Sequence, residues 1–428
     1  MSEKSISRKT KGASSPGLWS WALFDWASNA YATIVLTFVF AAYFTQSVAD
    51  DEITGGALWA GTLGLAGIIV AIGGPVLGAV VDQTGRRKPW IAGFSLICIL
   101  ATASLWLVRP SSEYLIPALI LVSIGELGME YAGVFYNAML PRLAEPRRMG
   151  RWSGWGWSMG YAGGLLALLA GLAVMAWSEH RLGAGVEQAE PVRATFLLAA
   201  VWFTVFALPL FVFTPDEPAT GKTFRQAVRG GLRQLRDSIQ QIQKYSHIVR
   251  FLIARLLYTD GLATVFIFGG VYAAGTFGMS PRDVIAFGIA LNVTAGLGAA
   301  LFAWIDDWMG SRATILISLS GLIITGIMIL LVESVIQFWA FALVLGIFVG
   351  PVQAASRTYM GRIAPEHLRN QMFGLYAFSG KVAFVCPLLV GAVTYLADSQ
   401  RAGMSMVLLF FVAGFAVIWK APEAVNNE

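Results

Sequence analysis

The chain has 428 residues, 57% of them hydrophobic and only 13% charged, with a mean hydropathy of +0.66 and a net charge of +5. A soluble chain carries about a quarter charged residues, so this composition excludes a soluble enzyme, a nucleic-acid binder and a disordered tail. The apolar residues come in blocks of about twenty, the length that crosses a bilayer as a helix, and not in the alternating runs of about ten that build a membrane barrel.

In chain order, the first eighteen positions are polar and basic. The apolar block that follows is too long for the core of a cleavable signal, so none is expected. Six spans are predicted at 19–44, 57–81, 89–108, 114–138, 152–177 and 195–213, and six more at 248–274, 282–305, 313–331, 337–360, 372–397 and 402–420. Twelve is even, so both chain ends share one side. Lys and Arg choose it: the tail, the 82–88 loop, the 4–5 connection, the central segment and the corresponding turns of the second set hold 22 basic residues. The other side has Arg109, Arg181, Arg193, Arg282 and Arg401, while Arg255, Arg357 and Lys381 lie within spans. This asymmetry predicts cytoplasmic termini. Cys98 and Cys386 sit in apolar blocks far apart and read as small hydrophobes, with no disulfide or metal framework.

Residues 214–247 separate the two sets. They open on the breaker run Thr214-Pro215-Asp216-Glu217-Pro218, and then Phe224, Val228, Leu232, Leu235, Ile239 and Ile242 recur at three- and four-residue spacing with Arg and Gln between. This predicts an amphipathic helix, either on the membrane surface with its basic flank toward anionic headgroups or packed on the other loops of that side. The expected organisation is a six-helix bundle over 1–213, a cytoplasmic linker over 214–247 and a second bundle over 248–428.

The two sets repeat each other. Gly78-Ala-Val-Val-Asp82-Gln-Thr-Gly85-Arg86-Arg87-Lys88 follows span 2, and Ala303-Trp-Ile-Asp306-Asp307-Trp-Met-Gly310-Ser311-Arg312 follows span 8. Both contain Asp-x-x-Gly-x-Arg. Gly suits a tight turn between antiparallel helices, and Asp can either pair with Arg or cap a helix N-terminus. The 4–5 and 10–11 connections match at an offset of 220: Arg142-Leu143-Ala144 answers Arg362-Ile363-Ala364, Gly154 answers Gly374, and Gly160-Tyr161 answers Gly380-Lys381.

Two six-helix halves around a central link, carrying this loop signature, resemble the major facilitator superfamily over the whole chain. A narrower likeness rests on Trp21-Ala-Leu-Phe-Asp25-Trp26-Ala-Ser-Asn29-Ala-Tyr31-Ala-Thr33, Phe135-Tyr136-Asn137-Ala-Met-Leu140-Pro141 and Ser153-Gly154-Trp155-Gly156-Trp157. It continues in Tyr258-x-Asp260-Gly261, Gln353-Ala-Ala-Ser356-Arg357 and Phe373-Gly374-Leu-Tyr376-Ala-Phe-Ser379-Gly380-Lys381. Together these are similar to the branch of autophagy-related vacuolar amino-acid effluxers and their bacterial relatives of unassigned substrate. That branch usually reads Ala-Asn-Ser-Ala where this chain has Ala27-Ser28-Asn29-Ala30. The resemblance implies an all-α polytopic fold and secondary active transport by alternating access in a bacterial inner membrane, with cargo left open between amino acids and other small solutes.

An ionisable side chain inside a bilayer costs a few kcal/mol or more, so each asks for a partner or a purpose. Asp25 shares a face with Asn29 in span 1. Trp21 and Trp26 beside it read as interfacial anchors, which leaves Asp25 open between a shallow ion pair and a substrate or gating role. Glu126 and Glu130 stack at i and i+4 in span 4. Two carboxylates so close suit proton uptake and release; pairing with Arg255 or Lys381 is the structural alternative. Arg357 ends span 10 as a gate or salt bridge. Lys381 lies deeper than a snorkelling lysine would. With Asp25, Glu126, Glu130 and Asp260 it makes a receptor for a zwitterion or a charge network that locks one conformation. Tyr136, Asn137, Trp157, Tyr161 and Gln353 complete the candidate cavity. The Trp152, Trp155 and Trp157 cluster also fits an interfacial belt. Pro75, Pro209, Pro351 and Pro387 are candidate bending points.

Ala219-Thr220-Gly221-Lys222-Thr223 ends like a phosphate loop, but its upstream glycine is Asp216. His180, His247 and His367 have no metal spacing. The expectation is therefore a secondary transporter without enzymatic activity, cofactor or metal, functional as a monomer among membrane lipids and binding no nucleic acid. Gly78, Asp82, Gly85, Arg86 and Arg87 would gate it with Asp307, Gly310, Arg312 and Arg357. A lipid or amphiphile translocator and a non-transporting sensor are the competing readings.

Overall fold

A computed structural model of the chain describes residues 13–182, 189–382 and 385–423. The basic tail residues Lys4, Arg8, Lys9 and Lys11 lie outside these. Among the described residues twelve helical segments are long and apolar enough to cross a membrane. The first runs longer than its apolar block, as α1 (Ser15–Tyr31), a π-helical turn (Ala32–Phe38), α2 (Val39–Tyr43) and a second π-helical turn (Phe44–Val48). Then come α3 (Glu52–Thr84), α4 (Lys88–Ser104), α5 (Leu115–Leu143), α6 (Met149–Leu182) and α7 (Glu190–Phe213). Between the sets lies α8 (Phe224–Gln240). The second set is α9 (Ser246–Phe277), α10 (Pro281–Met309), α11 (Ser311–Leu331), α12 (Val335–Ile363), the pair α13 (Arg369–Lys381) and α14 (Val385–Ala397), and α15 (Gln400–Trp419).

Local chemistry sets the ends. Asp51 caps α3 through the Thr54 N–H at 2.9 Å, which holds its carboxyl below the usual range. Thr223 with Gln226, and Ser280 with Asp283, form capping boxes on α8 and α10. Gly85 and Gly310 take φ of 83° and 87° at the turns after α3 and α10, which a side chain would strain. The periphery is apolar: Ile72 is 65% exposed and Leu388 71%, the pattern of helices solvated by hydrocarbon.

One face of the molecule, here called the basic face, gathers the 82–88 and 142–148 turns, residues 214–223, the 364–369 turn and the chain's described ends. Ala13 N–H donates to Leu143 O, the Thr214 hydroxyl to Gly17 O and Arg250 to Lys420 O. Toward this face the two six-helix bundles are pressed together along α3 against α13 and α6 against α10. Glycines make the approach possible. A Cβ on Gly374 would collide with the backbone of Gly74, and one on Gly154 with Ala299 and Ala303. Gly154 and Gly374 are the repeat mates at offset 220, so the two contacts are one contact built twice. Among the described residues, polar ties at the far face include Tyr43 to Val108, Arg193 to Trp106, Thr276 to Gln400 and Arg401 to Leu330 and Val332, each within one bundle.

Span 11 is broken. α13 stops at Lys381 and α14 restarts at Val385, whereas Pro75, Pro209 and Pro351 lie inside continuous helices. Pro387 sits in the first turn of α14, where a missing N–H costs nothing. Trp21 is also not an interfacial anchor. It is fully buried, stacked on Tyr136 with ring centroids 4.7 Å apart, and its indole N–H donates to Tyr136 O.

Gly374→Leu should force α13 off α3. With spin labels at Glu145→Cys and Glu366→Cys, both exposed on the basic face, the inter-label distance should lengthen relative to the unsubstituted protein. An unchanged distribution would show that this contact does not hold the face closed.

Candidate functional site

Arg357 on α12 is 2% exposed and reaches three helices of the other bundle. Its Nη1 donates to Asp25 Oδ2 on α1 at 2.9 Å and to Asn137 Oδ1 on α5 at 3.1 Å. Its Nε donates to the Ser153 hydroxyl at 2.9 Å and its Nη2 to Ser153 O at 2.7 Å, both on α6. Trp21, Tyr136 and Trp157 ring the guanidinium, with centroids 4.8, 5.8 and 5.8 Å from its central carbon. The planar fork of arginine meets this spread of acceptors; a lysine has no such reach. Asn29, one turn beyond Asp25, spends its amide on Asp25 O and packs against Gly160. Tyr161 and Gln353 meet across the bundles at 3.4 Å, with Trp157 beside Tyr161.

Lys381 ends α13, about 18 Å along that helix from its basic-face end at 1.5 Å per residue. Its ammonium is 2.7 Å from Glu126 Oε1 and 2.8 Å from Glu130 Oε1, both on α5 of the other bundle. The three differ in access. Glu126 is 7% exposed, while Glu130 is 30% and Lys381 27%, so one carboxylate is sealed and its neighbour opens onto free space. Gly67 of α3 backs the lysine stem. Placed at a helix C-terminus, the cation also complements the helix dipole.

Asp260 does not join this pair. It is fully buried on α9, where its Oδ2 accepts from the Val385 and Cys386 N–H groups at 3.0 Å each and so caps α14. Arg255 is likewise engaged elsewhere, stacked 3.5 Å over Tyr376 and donating to the Ser379 hydroxyl. The four acids therefore divide: two hold Lys381, Asp25 holds Arg357 and Asp260 holds the helix break.

The two Asp-x-x-Gly-x-Arg turns cap helices of the opposite bundle. Asp82 accepts from the Asn370 N–H at 2.9 Å and the Gln371 N–H at 3.0 Å at the start of α13. Asp307 accepts from the Arg151 N–H at 3.0 Å at the start of α6 and lies 3.3 Å from the Arg151 guanidinium. Arg151 and Gln371 are again mates at offset 220. Neither turn's arginine pairs with its own aspartate. Arg87 donates to Asn370 Oδ1 and Glu217, while Arg312 holds the end of α15 through Ile418 O, Trp419 O and Glu423. Arg86 is exposed. Gly78 has no room for a Cβ against the Asn370 backbone.

Sequence reasoning missed several partners. Ser153 and Asn370 anchor two arginines, Glu217 bridges Arg87 and Arg142 at 2.6 and 3.3 Å, and the buried Asp306 pairs with Arg362 at 3.0 Å. The offset of 220 was the available signal, since it also relates Arg142 to Arg362.

Arg357→Gln leaves the largely buried Asp25 without its cation, a loss of up to about 3–5 kcal/mol. Thermal unfolding in detergent should show it, and Asp25→Asn added to Arg357→Gln should recover part of the loss. A double variant as unstable as the sum of the singles would mean that the two do not act as a pair.

A profile of the family described as "Vacuole effluxer Atg22 like" matches residues 47–424. The uncharacterized MFS-type transporter YxiO of Bacillus subtilis (strain 168) is 24% identical over 414 residues, 96% of this chain and 95% of that protein. Autophagy-related protein 22 of Eremothecium gossypii is 21% identical over 386 residues, covering 82% and 73% of the two chains. Among solved structures, the proton:xylose symporter XylE superposes with a TM-score of 0.74 at 15% identity, over 95% of this chain and 96% of that one. FucP in its outward conformation gives 0.73 at 13% identity, over 96% and 99%. Fold and relatives are those of transporters, not enzymes. The chain belongs to the Atg22-like effluxer family, a branch of the major facilitator superfamily, and is a membrane-embedded secondary transporter.

Proposed function

We propose that this transporter carries a small zwitterion of the amino-acid class together with a proton, by alternating access between the two bundles. The observation that carries the reading is Lys381, held between Glu126 and Glu130 deep in the membrane at the join of the bundles. Two carboxylates and one ammonium leave a net charge of −1. A zwitterion adds none: its carboxylate takes Lys381 and its ammonium takes Glu130, which is accessible. Glu126 is then left ionised and unpaired, a costly state away from water. One proton on Glu126 neutralises the loaded site, so solute and proton favour each other's binding.

The same reading makes 1–213 and 248–428 the two rocking bundles, joined by 214–247, and the molecule a monomer. Twenty-two basic residues against five support placing the basic face, with both termini, in the cytoplasm of a bacterial inner membrane. Asp82 and Asp307 then serve as latches on the cytoplasmic side, and Asp25, Asn29, Tyr136, Asn137, Trp157, Tyr161 and Gln353 line the path inward.

A thermal-shift screen across amino acids, short peptides, sugars and lipids identifies the cargo class, and amino acids should give the largest stabilisation. In proteoliposomes, flux of the best ligand should be accelerated by an inward-acid pH gradient. Glu126→Gln should keep exchange down the solute's own gradient but lose the response to pH. Equal acceleration of the unsubstituted protein, Glu126→Gln and Glu130→Gln would refute the coupling.

A further inference from the structure

α8 has three faces: at 100° per residue the apolar face lies about a quarter-turn from the protein-facing one, and the arginine face about a quarter-turn further on, opposite the protein. Ala227, Gly231, Gln234 and Ser238 form the face against the protein. Ala227 and Gly231 are buried, and a Cβ on Gly231 would press into the Ala79–Val80 backbone of α3. The next face carries Phe224, Leu232 and Ile239, which are 68%, 51% and 61% exposed. Phe224 stacks on Trp90 near the start of α4, 6.3 Å between centroids, so this apolar face opens toward the lipid-facing side of α4. The third face holds Arg225, Arg229, Arg233 and Arg236, all exposed. Among the described residues its carboxylate neighbour is Asp237, 4.0 Å from Arg233.

The contacts of α8 run from the start of α4, over the end of α3, to the start of α13, so the helix lies across the basic face. Gln234 is the point where it meets both bundles. It accepts from Gln83 on α3 at 2.6 Å and donates to Asp82 at 3.2 Å and to Gln371 on α13 at 2.9 Å. Ser238 adds a donation to Gln371 at 3.4 Å. The side chain beside the Asp82 cap is thus carried by the helix whose outer faces are apolar and cationic.

We infer that the arginine face of α8 binds anionic phospholipid of the surrounding leaflet, and that lipid bound there favours the state in which Asp82 caps α13. Charge and geometry fix the occupant. Exposed apolar residues beside an arginine row match a helix lying flat at the headgroup boundary, with phosphates on the arginines and acyl chains under Phe224, Leu232 and Ile239. Parting the bundles on this face makes α8 leave either α3 or α13 and carries the arginines out of the plane that suits them. Lipid held on α8 opposes that motion, and by linkage the closed face holds lipid more tightly. The inference rests on the alternating-access reading for the motion it opposes; lipid binding itself is measured apart from it.

The full chain, labelled at Glu145→Cys and Glu366→Cys, is placed in nanodiscs of phosphatidylcholine alone or mixed with phosphatidylglycerol. The anionic lipid should raise the ratio of closed to open distances about fivefold, the effect of one basic residue's lipid attraction expressed at the latch. Replacing Arg225, Arg229, Arg233 and Arg236 by Gln, at positions that carry no packing, should abolish the response and reduce phosphatidylglycerol retained in native mass spectra. Gln234→Leu should retain lipid but lose the response. Equal distance ratios in the two bilayers, or a full response in the four-Gln variant, would overturn the inference. Solute flux in the same bilayers reports on the transport reading separately.

Discussion

Hydrocarbon offers an ionised side chain no water to fall back on, so the charges inside this bundle are committed to partners. What shapes the molecule is where those partners sit. Arg357 is satisfied from α1, α5 and α6, and Lys381 from α5, so these two cations of the second bundle are neutralised by the first, while Arg255 stays with Tyr376 and Ser379 of its own bundle. The ion pairs are therefore also the ties between bundles. Glycine contacts serve them: Gly74 against Gly374, and Gly154 against Ala299, bring backbones close enough for side chains to reach across.

The spans were legible because twenty-residue apolar blocks have few other uses, and the duplication was legible because the offset of 220 recurs. The stacking of Glu126 on Glu130 and the depth of Lys381 could also be read from helical spacing. Their meeting could not, since 255 residues separate Lys381 from Glu126 and no local pattern marks the join. The turns show the same limit. Read locally, Asp82 either pairs with Arg87 or caps the next helix; in the fold it caps α13 through Asn370 and Gln371, because each bundle's turn closes on the other bundle. Trp21 misled for a related reason, as indole at a membrane edge and indole in a bundle core have the same sequence signature.

Pro387 is the candidate bending point of span 11, yet α13 already ends at Lys381. Gly380 precedes the break, and Asp260 pulls the first N–H groups of α14 toward α9. A carboxylate that would be costly in the interior gains two backbone donors, and the Val385 and Cys386 N–H groups of α14 gain an acceptor. The break and the buried acid account for each other, which is why Asp260 is absent from the charge cluster around Lys381.

The ties between bundles differ in what can replace them. Asp82 and Asp307 hold backbone N–H groups at the basic face, where water can take over both partners, so each such cap is worth about 1 kcal/mol and releases without help. The ties of Arg357 and Lys381 lie deeper, and Arg357 and Glu126 are buried, so a lost partner there is costly to replace. Parting them requires a substitute charge or the removal of one, which is what a bound zwitterion and a proton supply in the proposed cycle. The outer ties set how readily the face opens when the inner ones allow it, and the inner ones make that permission conditional on cargo. A bundle tied only by caps would leak between states, and one tied only by buried ion pairs would stay shut.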